Sequence, residues 1–328
     1  MKAFLTGATG YIGHQLALEL ARMDITVHAL VRDLESPKIP EHKNIIPFEG
    51  DICNDHAVYK AMQHCDYVFH TAAFTNLNCT DISCFYETNV LGTENILKVA
   101  LELKIKKVIY TSTLSVFGPS YKTVPIIESQ PRLTSYANDY ELTKSMAEEL
   151  VERYINKGLS CVTLCVTKVY GPGLNTFSNG VNRLIRLMLS QRYLLVPDRL
   201  HVSSNYVFIK DVIQAHILAM KPKVVNEKFI IGGENTDYAN LFELIKIMTR
   251  SKVKIIKVNY KILRSVFSIL NILQVVFKMP IKIRPQVLDA LFVHRVSSSG
   301  KAIEKLKYEA TQLKMGLEHT INHIKLQS

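Results

Sequence analysis

The sequence predicts an α/β fold: a doubly wound parallel sheet followed by a smaller, mostly helical C-terminal part. Three observations carry this. Short apolar runs alternate with helix-period segments through the first two-thirds of the 328 residues, the order of a parallel sheet covered by helices on both faces. A glycine-rich turn follows the first run directly. The composition, 48% hydrophobic and 21% charged with 14 Gly and 11 Pro, is that of a globular chain and excludes collagen-like, low-complexity and wholly disordered readings.

Taken in order, strands are expected over residues 2–6, 26–31, 44–49, 67–71, 107–112 and 160–167, and helices over 11–23, 82–103 and 139–157. The first run is too short for the hydrophobic region of a signal peptide. No stretch reaches the roughly 18–20 uncharged apolar residues needed to cross a bilayer, so the expected compartment is the cytoplasm. After Gly171-Pro172-Gly173 the pattern loosens, returns to a strand and helix over 206–220 and a short strand over 228–231, and then becomes helical and basic. Six cysteines (Cys53, Cys65, Cys79, Cys84, Cys161 and Cys165) without a C-x-x-C pair form neither a disulfide framework nor a zinc signature, and read as reduced and structural. His319 and His323 share a helix face at i, i+4, but no glutamate follows His319 in an H-E-x-x-H pattern. No metal is expected.

The net charge of +11 lies entirely in residues 201–328; residues 1–200 are neutral. Between Glu243 and Asp289 every charged side chain is basic: Lys246, Arg250, Lys252, Lys254, Lys257, Lys261, Arg264, Lys278, Lys282 and Arg284. Within this 246–284 segment Val266, Ile269, Leu270, Leu273, Val276 and Phe277 recur at three- and four-residue steps, with Arg264, Ser268, Asn271 and Lys278 opposite. Two readings stand: a packed helix with a solvated basic rim, or an interfacial helix against anionic lipid near the mouth of an apolar site. No aromatic-basic interleaving or reader motif accompanies the charge, so nucleic acid is not an expected partner.

The chemistry begins at Gly7-Ala8-Thr9-Gly10-Tyr11-Ile12-Gly13, between the first strand and the first helix. Glycines at this spacing allow a tight turn and close approach of backbone amides to a pyrophosphate at the positive end of the helix, the mark of a Rossmann-type sheet. An acidic residue ending the second strand would hydrogen-bond the ribose of NAD, whereas arginine accepts a 2′-phosphate. The run Leu30-Val31-Arg32-Asp33 therefore favours NADP(H), with NAD(H) retained as the alternative and a surface pair with Asp33 as the bland role for Arg32. Asp51 with Ile52, after the third strand, suits the adenine. Tyr140 and Lys144 stand at i, i+4 on one helix face. The hydroxyls of Thr111-Ser112-Thr113 end a strand at the ligand crevice of a parallel sheet.

On these residues the chain resembles the extended short-chain dehydrogenase/reductase superfamily, also called the NAD-dependent epimerase/dehydratase family. Further stretches carrying the resemblance are Phe69-His70-Thr71-Ala72-Ala73, Asn89-Val90-Leu91-Gly92-Thr93, Val169-Tyr170-Gly171-Pro172-Gly173, Tyr206-Val207-Phe208-Ile209-Lys210-Asp211-Val212 and Ser297-Ser298-Ser299-Gly300-Lys301-Ala302. It implies Tyr140 as general acid/base, Lys144 lowering its pKa and holding the nicotinamide ribose, and Thr113, with Ser112 as competitor, binding the substrate oxygen. It further implies Gly7, Gly10, Tyr11, Ile12, Gly13, Arg32, Asp51, Ile52, Thr71, Ala72, Ala73, Asn89, Thr111, Tyr140, Lys144 and Val169 around the cofactor. Phe74, Ser112, Phe117 and Lys168 face the substrate on the same reading. Residues 1–171 and 206–232 would form the dinucleotide-binding domain, and 172–205 and 233–328 the substrate part. A homodimer through helices 82–103 and 139–157 is the expected assembly.

Departures from the family pattern narrow the activity. Leu114-Ser115 replaces the Asp-Glu pair of sugar dehydratases, Ser204-Asn205-Tyr206 lacks the arginine that neutralises a sugar-nucleotide diphosphate, and Lys168 stands where an asparagine contacts substrate. The pattern looks more like the dihydroflavonol reductase and 3β-hydroxysteroid dehydrogenase branch. The expected function is an NAD(P)H-dependent oxidoreductase interconverting a carbonyl and an alcohol on a hydrophobic small molecule. The alternatives are a nucleotide-sugar epimerase and a non-catalytic cofactor-sensing protein.

Overall fold

The computed structural model describes residues 1–121, 124–131, 135–176, 179–277 and 285–327. Lys278, Lys282 and Arg284 of the basic segment lie outside the described residues, as does the side chain of Val276. The first half runs β1 (Lys2–Thr6), α1 (Tyr11–Arg22), β2 (Thr26–Val31), β3 (Ile45–Glu49), α2 (Asp55–Met62), β4 (Tyr67–His70), α3 (Ile82–Tyr86), α4 (Gly92–Glu102), β5 (Lys107–Thr113) and α5 (Asp139–Asn156). It continues with β6 (Cys161–Val166), β7 (Lys168–Tyr170), α6 (Gly180–Ser190), β8 (Tyr193–Pro197), β9 (Ser203–Phe208), α7 (Ile209–Leu218) and β10 (Lys228–Ile231). The last part holds β11 (Glu234–Asp237), α8 (Tyr238–Thr249), β12 (Lys254–Val258), α9 (Tyr260–Phe277), α10 (Pro285–Leu291), α11 (Gly300–Leu306) and α12 (Leu313–Leu326).

Seven strands form one sheet in the order β10-β6-β5-β4-β1-β2-β3, and every pair in it is parallel. The strand period of two sends Ala3 and Leu5 to one face and Phe4 to the other, so β1 joins both hydrophobic cores. After β3 the chain crosses back to β4 on the far side of β1. That reversal opens a crevice beyond the carboxyl ends of β1 and β4, where ligands bind in such sheets. A smaller sheet, β11-β9-β7, and the parallel pair β12-β8 stand apart from it.

The expected helix over 82–103 is instead two helices joined by a π-turn at Glu87–Leu91. The extra residue of such a turn leaves the hydrophobic period nearly intact, so periodicity reads straight through it. α5 is capped as its sequence suggests: Asn138 Oδ1 accepts from the Glu141 amide at 2.9 Å, while the Glu141 carboxylate accepts from the Ala137 amide at 3.0 Å. No helix among the described residues is long and apolar enough to cross a membrane.

Candidate active site

β1 ends at Gly7, held at φ +78°, a conformation glycine adopts without a steric penalty. A Cβ on Gly7 would lie 2.7 Å from Thr71 Oγ1 and 2.8 Å from the Ala72 amide nitrogen, and one on Gly13 would lie 2.1 Å from the Gly7 carbonyl oxygen. The turn therefore requires both hydrogens. α1 starts after Gly10, which has no side chain to cap it, so the first amides and the positive helix end are left for an anion. Tyr11 is buried and donates its hydroxyl to the Gly171 carbonyl at 2.7 Å, and Ile12 packs against the larger core. Those two residues present only backbone to the crevice.

Arg32 is exposed at the end of β2 and has no ion-pair partner among the described residues, because Asp33 accepts from the Glu35 amide at 2.9 Å instead. β3 ends beside it, with the Gly50 amide on the Val31 carbonyl at 2.9 Å, which brings exposed Asp51 to the same edge. The Ile52 side chain is core. Beyond β4, half-buried Thr71 donates to the Thr6 carbonyl at 2.7 Å and Ala72 N–H donates to Thr6 Oγ1 at 3.3 Å, with Ala73 next in the same loop. These hydrogens, the uncapped helix start and the free guanidinium fit a dinucleotide.

Buried His70 is a strut between strands and helix. The Thr93 hydroxyl donates to the Asn89 carbonyl at 2.7 Å, so it accepts from His70 Nε2–H at 2.9 Å, and His70 Nδ1 accepts from Thr6 Oγ1 at 2.7 Å. Burial pulls its pKa down to about 3, so the ring is neutral. Asn89 accepts from the Phe74 amide at 2.8 Å and donates to Thr143 Oγ1 at 3.0 Å, which fixes the loop after β4 against α5. Phe74, half-buried, packs edge-on against Phe85 with centroids 4.8 Å apart. Val169 is partly buried against the larger core.

At the end of β5 the Thr113 hydroxyl lies close enough to the Tyr140 phenol to favour its ionised form, and is 2.8 Å from Ser115 Oγ. Burial pushes the Tyr140 pKa up to about 12, against the lowering effects of Thr113 and of the Arg295 charge. Lys144 departs from its expected role. Its ammonium donates to Tyr110 Oη at 2.6 Å and to the Thr111 carbonyl at 2.8 Å, not to Tyr140. Burial pulls its own pKa down to about 7. The cation that favours the Tyr140 phenolate is Arg295.

Two of the expected substrate residues, Ser112 and Phe117, are buried in the structure. Successive strand residues face opposite ways, so Thr111 meets His216 Nε2 of α7 at 2.8 Å whereas Ser112 donates to Glu148 Oε1 of α5 at 2.5 Å and is buried. Phe117 belongs to a small core with Leu114, Val116, Ile126, Cys165 and Ile230. Lys168 spans Ser204 Oγ and Tyr238 Oη, both at 2.9 Å, with its ammonium 4.8 Å from the Tyr238 ring centroid. His319 stacks on Phe208, and His323 Nε2 accepts from the Gly173 amide at 3.3 Å; the two rings serve separate packing roles.

Sequence reading missed Arg295. Its guanidinium pairs with the buried Glu141 carboxylate, next to Tyr140, and its backbone pairs with Ser203 and Asn205. The signal lay on α5, where Glu141, Lys144 and Glu148 share the sheet-facing side and each requires a partner.

A parallel sheet with its switch point at a glycine-lined turn, and a tyrosine, threonine and lysine gathered at the neighbouring strand end, define a Rossmann-type α/β enzyme framework. The sequence pattern of the NAD dependent epimerase/dehydratase family matches residues 3–232, most of the chain, and the protein belongs to that family. Members are NAD-dependent oxidoreductases and epimerases. The chain is 30% identical over 275 residues to UDP-N-acetyl-alpha-D-glucosaminuronate decarboxylase of Bacillus cytotoxicus, covering 79% of this chain and 84% of that one. It is 29% identical over 219 residues to 4-hydroxy-2-methyl-3-oxo-4-farnesyl-3,4-dihydroquinoline-1-oxide ketoreductase of Stigmatella aurantiaca, 67% of this chain but only 64%, under two thirds, of that protein's length. UDP-glucose 4-epimerase of Thermotoga maritima shares the fold over 100% of this chain and 99% of its own, with a TM-score of 0.84 and 22% identity.

Proposed function

We propose that the protein is an NADP(H)-preferring oxidoreductase that interconverts a carbonyl and a secondary alcohol on an apolar small molecule. The observation that carries the reading is the dinucleotide cradle, a glycine turn with no room for a Cβ at Gly7 or Gly13 and an exposed Arg32 without an ion-pair partner among the described residues, with Tyr140 and Thr113 close to each other beyond it. Gly7, Gly10 and Gly13 would admit the pyrophosphate, Arg32 a 2′-phosphate and Asp51 the adenine. The bound cofactor supplies or accepts a hydride. Tyr140 is protonated well above neutral pH, which suits it to give a proton to a carbonyl oxygen held by Thr113. Lys144, anchored on Tyr110 and Thr111, stands one turn along the same face of α5. The Stigmatella relative's name, a ketoreductase on a farnesylated ring, supports the apolar substrate class.

One observation favours a nucleotide-sugar epimerase as the second reading. Lys168 touches neutral hydroxyls and the faces of the Tyr206 and Tyr238 rings and has no carboxylate partner among the described residues, so its charge is available to an anion. A single experiment separates the two: wild-type protein is mixed with NADPH or NADH and either apolar ketones or UDP-sugars, absorbance of the reduced cofactor is followed, and the sugar products are resolved by chromatography. The proposal expects oxidation of NADPH with ketones and loss of the NADPH preference in Arg32→Ala. Conversion of a UDP-sugar without net cofactor turnover would replace it with the second reading.

A further inference from the structure

α9 is packed inside out. Its inward side carries Leu263, Phe267, Asn271 and Gln274, all partly buried, while Ile262, Val266, Ile269, Leu270, Leu273 and Phe277 form one stripe on the exposed side. Ile262 is 61% exposed, Ile269 57% and Phe277 69%. Of the apolar stripe read from the sequence, Val266, Ile269, Leu270, Leu273 and Phe277 thus lie on the outer side of the helix. The strand leading into it, β12, holds exposed Ile256 opposite exposed Leu195 of β8. In the chain leading into α9, Lys252, Lys254, Lys257 and Lys261 are exposed and have no ion-pair partner among the described residues, with Lys254 on the same face of β12 as Ile256 and Lys257 on the other.

We infer that the outer face of α9, with its lysine flank, docks the protein flat on an anionic lipid bilayer. A helix of 18 residues is about 27 Å long and, with an apolar stripe on one side and cations beside it, matches the boundary between acyl chains and acidic headgroups. The choice of lipid over another protein rests on charge: no acidic side chain lies between Glu243 and Asp289.

The side of α9 away from the stripe ties it to the rest of the C-terminal part. Arg264 of α9 pairs with Asp289 of α10, and Tyr260 donates to the same carboxylate at 2.5 Å. α10 in turn brings Gln286 to a cavity of about 150 Å³ shared with Leu77, Phe85, Ala137, Asn138 and Asp139, immediately before Tyr140. Docking would hold the protein at the bilayer surface, where a membrane-dissolved ketone is delivered. The delivery rests on the oxidoreductase reading; the docking does not.

The test is co-sedimentation of the full chain with vesicles of phosphatidylcholine alone and of equal parts phosphatidylcholine and phosphatidylglycerol. Wild type should partition to the anionic vesicles at least about tenfold more strongly than to neutral ones, and release at high salt. Ile269→Asp with Leu273→Asp, and separately Lys254→Glu with Lys257→Glu, should each abolish binding while thermal unfolding and NADPH binding stay as in wild type. Protein that stays in the supernatant with both vesicle types overturns the inference. So does a lipid-free dimer, seen by light scattering, that the α9 variants dissolve, because the face then belongs to a second copy. Vesicle binding by a protein without ketone reduction would keep the docking and remove only the delivery.

Discussion

α5 and α9 are both 18 residues long, and both break the rule that polar faces water and apolar faces the core, in opposite directions. α5 buries Glu141, Lys144 and Glu148. Each is answered within the chain: Glu141 by Arg295, Lys144 by Tyr110 and the Thr111 carbonyl, Glu148 by Ser112 and Lys228. α9 exposes a stripe that no part of the described chain covers, forgoing part of the about 1.5–3 kcal/mol that full burial of each large apolar side chain would bring. A violation answered internally marks a built site; one left unanswered marks a face meant for something outside the chain.

The comparison breaks most sharply at Tyr140. Tyr140→Phe keeps the ring and removes the proton donor, so turnover should fall about 10²–10⁴-fold while NADPH binding, read by fluorescence, is retained. Undiminished turnover would mean the polar face of α5 serves stability alone. Next comes Arg295→Met, which leaves the Glu141 carboxylate buried without its cation; stability should drop by about 3–5 kcal/mol, measured by thermal or denaturant unfolding. Adding Glu141→Gln should recover part of that loss, since the charge needing a partner is then gone.

Lys144 gives a third, pH-linked effect. Burial lowers its pKa from 10.5 to about 7, so between those values the unfolded chain binds the proton that the folded chain has released. Stability then rises with pH across that window, by about 1.4 kcal/mol per unit, and the penalty is full below pH 7. Unfolding midpoints of wild type and Lys144→Met should therefore converge as pH rises from 7 toward 10, and curves that stay parallel would show that Lys144 is not held neutral. The smallest effect belongs to α9: Ile269→Lys should change stability by no more than about 0.5 kcal/mol. A larger loss would show that the stripe is packed after all.

These helices also show where sequence reading stops. Strands at 2–6, 26–31 and 228–231 were legible to the residue because a sheet buried on both faces demands unbroken apolar runs. The glycine turn was legible because its spacing follows from close packing. Pairings across the fold were not: Glu141 and Arg295 are 154 positions apart, and Ser112 and Phe117 face the interior because of strand parity and a short turn that residue type does not encode. Nor was the orientation of α9. Periodicity locates a stripe, but which side faces the core depends on what the rest of the chain offers it.

The most direct test of the oxidoreductase reading is to supply deuterium-labelled NADPH with an apolar ketone substrate and locate the label by mass spectrometry. Net hydride transfer with Tyr140 as acid predicts one deuterium on the carbinol carbon of the product, in proportion to cofactor consumed, with label appearing about 10²–10⁴-fold more slowly in Tyr140→Phe. Deuterium that never leaves the cofactor pool while a UDP-sugar is interconverted would contradict the account.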